Sequence, residues 1–439
     1  MFRRTSVGVS LFLALVTILL LPSLTAAAGP AASCPASLDW FKGVPALPTA
    51  EPQSTCQFQQ WAWQAFLALL GGGQGQGKPP LYFTWDFPKP AVFDLYCANV
   101  CRSNATMARN PCGGPPTEEM VNATTQPGFV RAGTSGELID QAGLPVYFTA
   151  HISPEWKRFV KEWQLYDPAV LGSQASLRTA FPTGAIEIKS SWRIVDAKKK
   201  AQYEAEYYTT EGCVVPEDDS PPFHSELALV GFHITGGVND HPELVWATFE
   251  HVRNAPDCED TPKAGSWAFY DGKADCATPS TAPCNQPNPT GGTKPINVCR
   301  THPYGGAGKA AAGEIAALNR DVQARLPADS KLRFYELVGT VWGTDPSPKG
   351  VVTVNLQDIG GSPLLSNTSL ETFKQGVSCF GCHNSQFPAE LAGAAGASSI
   401  VFQDRTPFLS HVVLFPFFFA PTPCAELCKP TARHPGHVP

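Results

Sequence analysis

Methionine is scarce. Met1, Met107 and Met120 are the only three in 439 residues, so nothing beyond Met120 can offer a thioether to a metal. Basic residues are not in excess. The formal net charge of -6 argues against nucleic acid as the main partner. Apart from the first residues, no apolar run reads as a membrane span, and "VVLFPFFFA" (412–420) is too short and broken by Pro416. There is no repeat of fixed period, no phosphate loop, no nucleophile elbow and no zincin motif. Only one C-x-x-C occurs, which leaves a four-cysteine zinc site without support.

Other features are abundant. The 42 prolines and 38 glycines imply many turns and long connections. The start, "MFRRTSVGVSLFLALVTILLLPSLTAAAG", has Arg3 and Arg4, an apolar run and then small residues. That pattern predicts a signal peptide over 1–28, with a retained N-terminal membrane anchor as the alternative. Export makes disulfides the expected fate of most of the 14 cysteines. Setting Cys379 and Cys382 aside leaves twelve, enough for six bridges. Spacing suggests local pairs among Cys97, Cys101 and Cys112, and among Cys258, Cys276, Cys284 and Cys299. Cys424 and Cys428 pair with each other or with distant partners.

Periodicity predicts an α+β fold: a disulfide-rich body with a mainly antiparallel sheet, followed by a mainly helical C-terminal segment. Helices are expected over 56–70, 153–166 with Ser153 as N-cap, and 306–326. Strands are expected over 185–195, 201–210, 227–235, 243–252, 333–342 and 350–356. Residues from Asp94 to about Ala132 read as a stapled loop. A further short helix is expected to carry "SLETFKQGVSCFGCH". The organisation is then 1–28 leader, 29–340 body and 341–439 C-terminal region.

The chemistry concentrates in "GVSCFGCHNSQF". Cys379-Phe380-Gly381-Cys382-His383 has the spacing C-x-x-C-H, in which one helical turn presents two thiols and an imidazole to one side of a macrocycle. The competing readings are a small disulfide loop and a metal clip. "SCFGCH" resembles the haem-binding motif of c-type cytochromes. "AIEIKSSWR", "GFHI" and "LVWATFEH" are similar to a group of exported bacterial single-haem proteins. The resemblance implies one covalent haem c on Cys379 and Cys382, with His383 as proximal iron ligand.

Small soluble cytochromes place a methionine ligand after the motif, and this chain has none there. For the sixth position His411, in "FLSHVVLF", ranks narrowly first. Met107, Met120, His224, His233 and His251 are further candidates, and an open position is the remaining option. Glu250 and His251 look like an acid–base pair, but neighbours on a strand point to opposite faces. Glu187 and Lys189 share a face and are expected to be ion-paired or solvated.

The expected function is a periplasmic or secreted monohaem cytochrome passing single electrons to a redox partner protein or a small-molecule donor or acceptor. No nucleic-acid partner is expected, and membrane contact only through an uncleaved leader. The rivals are a peroxidase- or oxygenase-like haem enzyme with an open iron, and a non-haem, disulfide-stapled binding protein.

Overall fold

The computed structural model describes residues 34–71, 80–104, 112–113, 119–122, 136–167, 170, 181–216, 220–260, 266–277, 283–288, 293–344, 358–383, 424 and 428. The expected leader (1–28), the expected strand over 350–356, Met107 and His411 lie outside these residues. The described residues all fall within one unit.

The framework is one sheet of eight strands: β1 (Glu119–Asn122), β2 (Val146–Ile152), β3 (Ile186–Ile194), β4 (Thr209–Val215), β5 (Phe223–Val238), β6 (His241–His251), β7 (Tyr335–Gly343) and β8 (Ile359–Gly361). The order is β3-β2-β1-β4-β5-β6-β7-β8, and β3 also pairs with β5. That extra pairing closes β5, β4, β1, β2 and β3 into a ring, from which β6, β7 and β8 continue as an open sheet. Only the β1–β4 contact is parallel among the described ladders. An α+β, disulfide-rich fold with a mainly antiparallel sheet is therefore present. Strand β7 runs across residue 340.

One face of the sheet is apolar. Helix α1 (Thr55–Leu70) lies on it, capped by Ser54 Oγ, which accepts from Gln57 N. Trp61, Trp63, Phe66, Leu69 and Leu70 of α1 share a core with Phe232, Ile234, Val245, Ala247, Phe249 and Leu337. Phe66 stacks on Phe249 with centroids 4.1 Å apart. Ile315, Leu318 and Val322 complete this layer from the long helix Lys309–Arg325, here α5. The same helix supplies Asn319, which accepts from Trp63 Nε1 at 2.8 Å and Leu337 N at 3.1 Å and donates to Leu337 O at 2.9 Å. The β6–β7 register shifts at Leu337, so Asn319 satisfies backbone groups that the bulge removes from the ladder.

Three expectations are corrected. The run 201–210 is a strand only at its end: α4 (Lys200–Glu206) precedes β4, which takes in Thr209 and Thr210. The alternation there is carried by Tyr203 and Tyr207, which are also one helical turn apart and touch at 5.1 Å. Lys, Ala, Gln and Glu around them favour helix. The expected loop from Asp94 begins instead inside α2 (Pro88–Asn99), with proline at its first position. The helix over "SLETFKQGVSCFGCH" is reduced to α6 (Cys379–His383), with turns before it. The remaining helix, α3 (Pro154–Glu162), starts where expected, with Ser153 Oγ accepting from Trp156 N.

Six disulfides use all twelve cysteines outside the motif: 34–56, 97–428, 101–424, 112–213, 258–299 and 276–284. The second expected group does pair within itself. Cys97, Cys101 and Cys112 do not: each bridges to a distant partner. Cys97 and Cys101 sit four residues apart at the end of α2, and Cys424 and Cys428 are joined as one turn by a Cys428 N to Cys424 O bond of 2.9 Å. Two such pairs meet in antiparallel sense, a geometry that spacing along the sequence does not reveal.

Candidate functional site

The other face of the sheet carries polar side chains. Cross-strand register places Ser191, Gly231 and Glu250 in one row, Lys189, His233 and Thr248 in the next, and Glu187, Thr235 and Trp246 in a third. Nearly all are buried, Glu187 and Lys189 included, so the solvated reading of that pair is excluded.

The segment before the motif lies on this face. Asn367 Nδ2 donates to Thr248 Oγ1 at 2.8 Å and to Phe249 O at 2.9 Å. Thr368 donates to Glu250 twice, from its backbone N and from Oγ1, each at 2.6 Å. Ser369 Oγ bonds Asn367 Oδ1 and Ser191 Oγ, both at 2.6 Å. Gln375 Nε2 donates to Cys299 O at 3.0 Å. Asn, Ser and Thr side chains that can bond backbone elsewhere compete with helix. That is why "SNTSLETF" turns instead of coiling. The close approach needs glycine: a Cβ on Gly231 would overlap Ser369 Oγ, and one on Gly339 would overlap Ser362 Oγ.

Arg300 completes the network. Its guanidinium meets Asp257 at 2.8 Å, Glu250 at 3.0 Å and Glu336 at 3.2 Å. Burial opposes its charge, and the three carboxylates outweigh burial and hold its pKa above the usual value. Glu336 is pushed up by its own burial, against the pull of Arg300. A buried charge surrounded this way is a positioning device; removing one partner leaves the others uncompensated.

The motif follows at once. Cys379 Sγ donates to Leu365 O at 3.8 Å. Phe380 is fully buried in a cluster with Trp246, Val338, Val341, Leu365, Cys97 and Cys428. The His383 ring lies 4.5 Å from the ring of Trp246. Helix α6 therefore presses its Phe380 inward, while Cys379 and His383 are only partly buried.

The other histidines have different roles. His224 Nε2 donates to Cys112 O at 3.3 Å on the exposed start of β5. His233 Nε2 donates to Glu371 Oε1 at 2.8 Å, and Glu371 Oε2 accepts from Asn367 N at 2.7 Å. His251 donates from Nε2 to Glu206 O at 3.1 Å and stacks on Tyr207 at 3.7 Å. Burial lowers its pKa to about 3, and burial does the same to His151. Glu250 and His251 do point to opposite faces, and no acid–base pair forms. Met120 lies in β1 opposite Cys213.

Cys276, Cys284 and Cys299 bring their sulfurs together at metal-binding distance, but all three are in disulfides and have no thiolate to offer. Among the described residues no helix is long and apolar enough to cross a membrane. No protein-family model matches the chain, and neither the curated proteins nor the solved structures yield a match.

Sequence reasoning singled out the motif and Glu250. It missed Trp246, Arg300 and Asn367 as neighbours of that site. Only the last left a signal: a dense run of Ser, Asn and Thr shortly before the C-x-x-C-H motif.

Proposed function

We propose that the chain is a periplasmic or secreted monohaem c-type cytochrome, with Cys379 and Cys382 holding one haem c covalently, His383 as iron ligand, and 341–439 as the haem-bearing region. One observation carries the reading. The six disulfides consume every cysteine outside the motif, so the framework makes no demand on Cys379 or Cys382. The residues fit the group: Cys379, Cys382 and His383 all fall within one short helix, α6, whose Phe380 packs into the core.

When bound, a c-type haem supplies a one-electron couple between ferric and ferrous iron. The chain's residues provide the setting. The Asn367–Thr368–Ser369 network fixes the approach to the motif. Trp246 backs the His383 ring and limits its rotation, and the cluster around Phe380 keeps water from one side. The electron passes to or from a redox partner protein or a small-molecule donor or acceptor.

One finding favours a second reading, a haem enzyme with an open sixth position. Of the candidate sixth ligands, the described histidines are all engaged elsewhere: His224 with a carbonyl, His233 with Glu371, His251 with Glu206.

Mass analysis of the protein matured in a bacterial host that attaches haem c tests the main reading. A covalent tetrapyrrole, lost in the Cys379→Ser and Cys382→Ser double variant, is the expected result. A mature chain with no added tetrapyrrole overturns it. Low-spin iron then speaks for electron transfer, and high-spin iron that binds cyanide readily for the enzyme.

A further inference from the structure

Trp246 is 7% exposed, and its indole N–H has no acceptor. Buried donors are almost always paired, so an orphan calls for an explanation. Two further buried groups without partners lie beside the same motif. Ser378 Oγ immediately precedes Cys379, and Ser366 Oγ follows Leu365, whose carbonyl faces Cys379 Sγ. All three groups can donate. Around Trp246 and Phe380 the cluster offers the side chains of Leu365, Val338 and Val341, which carry no acceptor. The contrast with residues 367–375 is sharp, since there each named donor meets an acceptor. Three unpaired donors around one motif suit a guest rich in acceptors, and a c-type haem brings two carboxylates.

We propose that Trp246 is a haem-binding residue whose indole N–H donates to a carboxylate of the tethered macrocycle, with the Ser366 and Ser378 hydroxyls as further donors. The inference rests on the haem reading and deepens it. An N–H on a buried carboxylate disperses its negative charge. The field at the iron is then less negative, and the ferrous state is favoured.

The test uses the exported full-length protein and its Trp246→Phe variant. Mass analysis first reads haem in both. The variant is expected to keep its haem and to have a lower reduction potential. A tenfold shift between oxidation states reads as about 59 mV for one electron. A redox-difference infrared spectrum of the unmodified protein in light and heavy water supplies a second readout that needs no variant. A haem carboxylate band there should move on deuteration of the N–H, and Trp246→His, which keeps a ring donor, should recover part of the lost potential. Unchanged potential in a haem-loaded Trp246→Phe protein overturns the assignment, as do carboxylate bands indifferent to deuteration. If the unmodified protein carries no haem, the assignment falls together with the reading beneath it, and the mass alone shows which failed.

Discussion

On the side of the sheet covered by α1 and α5, the contacts are ring on ring and methyl on ring: Phe66 on Phe249, Phe58 on Trp342 at 3.8 Å, and Trp63 edge-on to Phe249 at 4.9 Å. On the opposite side, the segment from Asn367 to Glu371 meets β3, β5 and β6 through named donors and acceptors at 2.6–2.9 Å. Both sides are buried, yet they do different work. Apolar packing is strong but tolerant of small displacements. A hydrogen-bond network has essentially one satisfied arrangement. The first side stabilises the sheet; the second sets where the C-x-x-C-H turn stands relative to it.

The strongest challenge to that contrast is to damage each side equally. Phe66→Ala and Glu250→Ala should each cost about 3–5 kcal/mol, the first as a cavity, the second by leaving Arg300 and the Thr368 donors uncompensated. Denaturant unfolding reads the cost. Amide exchange reads its place: protection should fall globally in Phe66→Ala, but first over 362–375 in Glu250→Ala. Equal patterns in the two variants would erase the distinction.

Acid should attack the apolar side. His151 rings with Tyr82 and Phe87, and His251 with Tyr207 and Tyr335; burial brings both to about 3 from 6.5. Both stay neutral in the fold and protonate in the unfolded chain below about pH 6.5. Stability from them is thus intact above that pH and is lost as pH falls toward about 3. With both titrating, the slope reaches at most about 2.7 kcal/mol per pH unit. Urea midpoints across pH 7 to 4 measure it, and His251→Gln should shallow the slope.

Smallest is Gly231→Ala, expected to cost about 1–3 kcal/mol by forcing Ser369 off β5. Its use is selectivity. Amide exchange should rise around Ser369 while α1 keeps its protection.

Much of the sheet was legible in the residues. The runs 185–195, 227–235, 243–252 and 333–342 show β-branched and aromatic alternation, and each contains most of a strand. Ser153-Pro154 marked α3 by its capping chemistry. The failures share a cause: the deciding partner is far away in sequence. Tyr203 and Tyr207 fit both periods, and only their burial against Ala228, Val230 and Phe269 selects the helix. "SNTSLETF" looked helical because its partners, Thr248 and Glu250, lie more than a hundred residues earlier. At the site, the motif itself was readable from five letters. Trp246 was read only as a strand residue, since its place beside His383 depends on the β6 register.

The chain is synthesised from its N-terminus, and this gives the paired bridges at the end of α2 a consequence for assembly. Cys97 and Cys101 wait 331 and 323 residues for Cys428 and Cys424. In an oxidising compartment, nearer thiols such as Cys112 are available to them throughout that interval. Early mispairing is the natural kinetic outcome, and correction proceeds by thiolate exchange. A cell that makes this protein well therefore needs a disulfide isomerase as well as an oxidase, and yield should follow the isomerase.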